Sequence, residues 1–280
     1  LDGARFWASA AVEEADGRFH YRDVIGPDEY HERVDDNAYT NHFAAWHLRS
    51  ALDVLAWLER TAPATASRLS AQLGIDAAER TRWADVAERM TLPIDPQTGL
   101  VEQFAGYFGL ADAELPVLRD PSRTLSMQQI HGIEGCNRTQ ILKQPDVLML
   151  AYLLPELFTP EQLAANYRYY DPRTDHELGS SLGPAISAVM ACRAGDPEVG
   201  YGHFLRAARA DLLDVRGNAA DGIHGASAGG LWQAVVFGFA GLRIDAAGWR
   251  VNPALPASWT RLRFSFRYRG ERQVVELRPE

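Results

Sequence analysis

The run Gly26-Pro27-Asp28-Glu29-Tyr30-His31, followed by Val34-Asp35-Asp36-Asn37-Ala38-Tyr39-Thr40-Asn41, sets carboxylates on a turn directly ahead of a helix start. A Gly-Pro pair does not continue a helix, so Glu29 is expected on a loop, with Asp36 or Asn37 capping the helix behind it. Loops at helix mouths are where scaffolds display catalytic groups. The same residues also fit a solvated acidic turn that complements a helix N-terminus. A second group is Lys143-Gln144-Pro145-Asp146, behind Glu134-Gly135-Cys136-Asn137-Arg138-Thr139-Gln140. Lys143 and Gln144 can donate to sugar hydroxyls, and they equally fit the polar first turn of an apolar helix.

Two small-residue segments follow, Gly179-Ser180-Ser181-Leu182-Gly183 and Gly222-Ile223-His224-Gly225-Ala226-Ser227-Ala228-Gly229-Gly230, each ahead of an apolar stretch. Amides and hydroxyls before a helix N-terminus make an anion site, and a protonated His224 would reinforce it. Tight loop packing accounts for the same glycines. Neither segment has the spacing of a nucleotide-binding loop.

The elements that must position these groups are mostly helical. Apolar periodicity predicts helices over 37–61 (with Ala38, Phe43, Trp46, Leu52, Leu55 and Leu58 on one face), 76–90, 139–154, 160–170, 183–194, 197–213 and 229–239. Pro63 reads as a stop, and Pro145 must lie in a first turn or at a kink. Residues 99–135 show weak periodicity and read as a long functional connection. After Gly241 the pattern alternates, as in Leu262, Phe264, Phe266 and Tyr268, which is strand texture. The expected division is therefore a helical domain, 1–241, and the beginning of a β-domain, 242–280.

The bulk numbers narrow the function classes. A net charge of -9 over 280 residues leaves no basic stripe for nucleic acid. No apolar run reaches the ~20 residues that cross a bilayer. Cys136 and Cys192 form neither a disulfide framework nor a structural zinc pattern, so a cytoplasmic location and no bound metal are expected.

In their order, Gly-Pro-Asp-Glu-Tyr-His, Asp-Asn-Ala-Tyr-Thr-Asn, Lys-Gln-Pro-Asp-Val and Gly-Ile-His-Gly-Ala-Ser ahead of Trp232-Gln233-Ala234-Val235-Val236-Phe237-Gly238-Phe239 resemble glycoside hydrolase family 65. The resemblance spans about Phe6 to Val251. It implies a mainly α fold: part of an (α/α)6 barrel followed by the start of a small C-terminal β-domain. It also implies an inverting phosphorylase that cleaves an α-glucosidic disaccharide with inorganic phosphate to β-glucose 1-phosphate. By motif position Glu29 corresponds to the general acid, and Lys143 and Gln144 to the groups that bind the transferred glucosyl unit. Ser180, Ser181, His224 and Ser227 correspond to the phosphate site. No cofactor is implied beyond phosphate as co-substrate, and a homodimer of the longer parent stays open. As a general acid Glu29 must hold a proton near neutral pH, so burial or the Asp28 charge is expected around it.

The chain opens at Leu1 in what reads as the middle of an element. Family members carry a β-sandwich and half a barrel earlier, including a Trp-Asp pair on the glucosyl group. A C-terminal fragment without activity of its own is therefore expected. One rival is a hydrolase of the same family, with Asp175, Glu177 or Asp221 as the base that water would need. The other is a silent remnant that acts by docking onto a partner.

Overall fold

A computed structural model describes residues 1–112 and 115–279, which form two compact units. The first unit comprises residues 1–27, 31–95 and 101–109. It opens with α1 (Asp2–Ala10) and a short hairpin of β1 (Val12–Glu13) and β2 (Phe19–His20). Helices α2 (Ala38–Thr61), α3 (Pro63–Leu73) and α4 (Ala77–Arg89) follow. Asn37 caps α2 by accepting the Thr40 amide at 3.0 Å, and Asp76 caps α4 by accepting that of Glu79 at 2.8 Å. Both starts are those expected from side chains that satisfy orphan helix amides.

Helix α3 was not expected. Pro63 ends α2 but also opens α3, where its missing N–H costs nothing and its fixed φ suits the first turn. The buried face of α2 differs as well: Ala44, Ala45, Leu48, Ala51 and Leu55 are inside, while Trp46 is 45% exposed. Alanines allow close helix approach, so the core of this unit is closed by Phe19, Leu48, Trp83, Val86 and Met90 instead. Each end of the loop ahead of α2 is pinned, because Val24 and Val34 exchange backbone bonds of 2.9 Å.

The second unit comprises residues 28–30, 96–100 and 110–280. It holds α5 (Leu115–Leu118), α6 (Met127–Cys136), α7 (Asp146–Leu153), α8 (Pro160–Tyr170), α9 (Gly183–Arg193), α10 (Pro197–Leu212) and α11 (Gly225–Gln233). Helix α11 continues as a wider π-turn over Ala234–Phe239. Helices α5 and α6 lie in the stretch that periodicity left as a connection. Gly132 explains the weak signal in α6, since its φ of 67° interrupts the helical pattern. The helix expected from residue 139 starts only at Asp146. Residues before it are extended because the Leu142 amide donates to the Arg173 carbonyl at 2.9 Å and the Asp175 amide to Leu142 at 2.7 Å.

Helix α9 is almost wholly buried, and glycines on its neighbours make that possible. A Cβ built at Gly230 would stand 2.7 Å from the Ala185 Cβ, and one at Gly200 would stand 3.1 Å from the Ala188 carbonyl. The small-residue texture of α11 is thus close helix packing in part.

The C-terminal alternation forms two antiparallel hairpins, β3 (Arg243–Asp245) with β4 (Gly248–Arg250) and β5 (Leu262–Tyr268) with β6 (Glu271–Leu277). Arg269 and Gly270, at φ 50° and 85°, make the left-handed two-residue turn that matches strand twist. Leu262 packs with Cys192, Phe239 and Ala240, so these strands share a hydrophobic cluster with the helices of the second unit. The fold is mainly α with small antiparallel sheets at its C-terminal end, as expected.

Candidate active site

The candidate residues are collected by backbone bonds to one buried carboxylate. Asp28 is 2% exposed, and its Oδ1 accepts the amides of Lys143 at 2.8 Å, Gln144 at 3.3 Å and Tyr30 at 3.3 Å. A carboxylate satisfied by amides is well stabilised, and this one ties the Glu29 turn to the Lys143-Gln144 segment across 115 residues of sequence. Glu29 consequently faces Lys143, whose ammonium is ion-paired with its carboxylate. Of the two surroundings expected for Glu29, burial or a neighbouring Asp28, burial is not found, for its side chain is 59% exposed. Its buried neighbour Asp28 is spent on amides.

The chain of contacts continues through Gln144, whose Nε2 donates to Ser180 Oγ at 3.0 Å. Ser180 is buried and also accepts the Leu182 amide at 3.2 Å. Ser227 sits in the first turn of α11 and donates its hydroxyl to the Ser181 carbonyl at 2.9 Å. The two small-residue segments are therefore stitched together at the starts of α9 and α11. His224, at the N-cap of α11, is held by Asp211: its amide donates to one carboxylate oxygen at 2.8 Å and its Nδ1 meets the other at 2.5 Å. That bond holds the Asp211 carboxyl below its ordinary range and fixes the ring, leaving Nε2 for another partner. Glu29, Lys143, Gln144 and Ser180 thus form one connected row, and Ser181, Ser227 and His224 a second, joined at the Ser180-Ser181 peptide.

Sequence reasoning missed the anchor beneath this row. Asp175 is fully buried and accepts from the Arg123 guanidinium at 2.5 Å, the Tyr30 hydroxyl at 2.8 Å and the Leu178 amide at 3.2 Å. Burial alone would raise the Asp175 pKa, but the Arg123 pair and these hydrogen bonds carry it below its ordinary value. Burial and the same carboxylate push the Tyr30 phenol upward. Asp175 was a candidate base for the hydrolytic alternative, and here its oxygens are committed to holding Tyr30 beside Glu29. Glu177 is paired with Arg206 at 2.5 Å, and Asp221 is exposed in the short helix Ala219–Asp221.

One cluster has a metal-ligand composition: Asp171, His176 and His203, whose ligand atoms lie within 4.8 Å of one another. Arg206 donates to His203 Nδ1 at 3.1 Å, so that nitrogen is the acceptor and the proton sits on Nε2, facing Asp171 at 3.3 Å. His176 Nε2 approaches the Asp171 carboxylate at 3.1 Å. Burial would raise the Asp171 carboxyl, yet these imidazoles hold it well below its ordinary range. His203 is hydrogen-bonded to the Asp171 carboxylate and His176 Nε2 to the Asp171 backbone carbonyl at 3.0 Å, with the His203 lone pair turned away from the ligand position.

Residues 1–233 match the profile of the glycosyl hydrolase family 65 central catalytic domain, and residues 242–280 that of the family's C-terminal domain. The chain is 39% identical to a kojibiose phosphorylase of Caldanaerobacter subterraneus subsp. tengcongensis, covering 100% of this chain and 36% of that protein. It is 36% identical to an α,α-trehalose phosphorylase of Thermoanaerobacter brockii over 100% of this chain and 36% of the other. It is 34% identical to a 1,2-α-glucosylglycerol phosphorylase of Bacillus selenitireducens, with 99% and 37% covered. Among solved structures it superposes on a provisionally assigned kojibiose phosphorylase from the human microbiome, with TM-score 0.89 and 29% identity, covering 98% of this chain and 37% of that one. The chain thus spans about a third of the length of the relatives it matches. No helix among the described residues is long and apolar enough to cross a membrane.

Proposed function

The chain belongs to glycosyl hydrolase family 65, and on that premise we propose that it carries the acid and the anion-binding side of an inverting disaccharide phosphorylase. The observation that carries the reading is the connected row Glu29–Lys143–Gln144–Ser180, which sets a carboxyl acid at one end and hydroxyls at two helix N-termini at the other. In this reading Glu29 gives its proton to the glycosidic oxygen of an α-glucoside as the bond to the anomeric carbon breaks. An oxygen of inorganic phosphate attacks that carbon from the opposite face, and β-glucose 1-phosphate leaves with the acceptor sugar. Lys143 is placed to counter the Glu29 carboxylate after proton transfer, and Gln144 to reach glucosyl hydroxyls while resting on Ser180.

Phosphate arrives already nucleophilic, so no second carboxylate is required. Water would need one, and the commitment of Asp175 to Arg123 and Tyr30 supports the phosphate reading over hydrolysis. His224, oriented by Asp211, and the amides at the start of α11 would take the phosphate oxygens. The acid, both sugar contacts, the phosphate set, and a disaccharide and phosphate as the only partners are all part of this proposal.

The test uses a polypeptide of the relatives' length containing this chain, assayed on α-linked glucose disaccharides with and without phosphate. Glucose 1-phosphate release that requires phosphate, and that drops about 10²–10⁴-fold in Glu29→Gln, is expected. Equal cleavage in phosphate-free buffer would establish the hydrolytic alternative, and a Glu29→Gln variant within a few-fold of wild type would remove Glu29 from the acid role.

A further inference from the structure

Three carboxylates act on the Arg216 guanidinium from nearby, and each already has a cationic or imidazole partner: Asp175 with Arg123, Glu177 with Arg206, and Asp211 with His224, all at 2.5 Å. Arg216 itself makes one long side-chain bond, 3.4 Å to the Gly179 carbonyl. Arg209 lies one turn beyond Arg206 on α10, is exposed, and has no ion pair among the described residues. Both guanidiniums line a cavity of 330 Å³ between α9 and α10. The wall also carries His176, the paired Glu177 and Arg206, and Ser181 from the small-residue segment, with Pro184, Leu205 and Val215 as its apolar side. Burial pulls the Arg216 guanidinium below its ordinary pKa while the three carboxylates pull it back, and a guanidinium remains a cation under either influence. Among the described residues that line the cavity, three guanidiniums meet one carboxylate, Glu177, which Arg206 already pairs, so positive charge is in excess.

We propose that this cavity is a second anion site, taking a phosphate group on Arg209 and Arg216, beside the Ser180–His224 segment, which reaches it at Ser181. Two guanidiniums without an ion pair among the described residues match a dianion, since each offers a fork of donors to phosphate oxygens; a monocarboxylate would leave one of them unmatched. The volume is within the range of small-molecule sites, and the apolar wall can face the organic part of a phosphomonoester. Such a site goes beyond the phosphorylase reading and does not depend on it. Disaccharide cleavage that proved independent of phosphate would sink that reading and leave this cavity's chemistry untouched.

The experiment is calorimetric titration of the 280-residue chain with inorganic phosphate and, separately, with glucose 1-phosphate. It is done in a His224→Ala background, which silences the candidate catalytic anion site. Binding of at least one of the two ligands is expected to persist, to weaken as salt rises, and to fall roughly 10-fold or more when Arg209→Gln is added, because a charge-assisted bond is lost. Arg209→Lys should recover part of the loss. Binding of inorganic phosphate alone identifies a free-phosphate site, and binding of the ester identifies a phosphomonoester site. Arg209 is exposed, so its substitution does not threaten the fold. Absence of binding by both ligands in His224→Ala, or an unchanged affinity in Arg209→Gln, overturns the proposal.

Discussion

Replacing Asp175 with alanine tests whether that carboxylate anchors the site or performs chemistry. Its oxygens serve Arg123 at 2.5 and 3.0 Å, Tyr30 at 2.8 Å, and the amides of Leu178 and Met127 at 3.2 and 3.3 Å. The Arg123 side chain is only 5% exposed, so truncating Asp175 strands a buried guanidinium. Breaking a buried pair from one side costs about 3–5 kcal/mol, a large part of a typical stability of ~5–15 kcal/mol. Urea unfolding followed by circular dichroism should show a lower midpoint at an unchanged slope. Asp175→Leu combined with Arg123→Met should recover much of the loss, because both charges leave together. The acid limb gives a second signature. The folded pKa of Asp175 lies below its unfolded value, so its contribution is complete above about pH 3.9 and fades as pH falls through the folded value. The gap between wild type and variant should therefore narrow in acid. A cost under about 1 kcal/mol, the scale of exposed pairs, would refute the anchoring argument. Full stability with lost hydrolysis would make Asp175 a base.

Three further outcomes follow from other contacts. Asp28→Ala removes the acceptor for the Lys143 and Gln144 amides and should lower turnover of a relative-length polypeptide by roughly 10²-fold through misplacement, with phosphate affinity kept; unchanged turnover would show that the three amides hold position without it. His42 is buried, and burial, aided by Arg49, pushes its pKa down to about 4, so the unfolded chain takes the proton first below about pH 6.5. Stability should thus fall between those values by up to ~1.4 kcal/mol per pH unit, and His42→Leu should flatten the Tm–pH curve there. Gly230→Val forces a side chain toward the Ala185 Cβ, 2.7 Å from where a Cβ would stand, and should cost about 1–3 kcal/mol, read as a lower Tm; an unchanged Tm would mean that α9 and α11 can separate freely.

Much of the local structure was legible in residue order, because it depends on local signals. The Gly-Pro break puts Glu29 on a turn, Asn37 and Asp76 cap the helices predicted behind them, and the alternation after Gly241 becomes two hairpins. Each reflects a backbone preference or cap that acts within a few residues. Elements whose signal is interrupted were lost: α6, broken by Gly132, and α3, whose first residue is the proline read as an end.

What could not be read from order alone is which polar groups spend their bonding capacity on one another. Asp28, Glu29 and Asp175 are all carboxylates in the sequence, and nothing local separates them. Asp28 and Asp175 are buried and must be satisfied there: the extended segment before α7 brings the Lys143 and Gln144 amides to Asp28, and Arg123, just ahead of α6, pairs with Asp175. Glu29 is left exposed beside Lys143, and Arg216 has no ion pair of its own among the described residues, since the carboxylates near it are already paired. Desolvation sets those roles, and desolvation exists only once distant segments have packed.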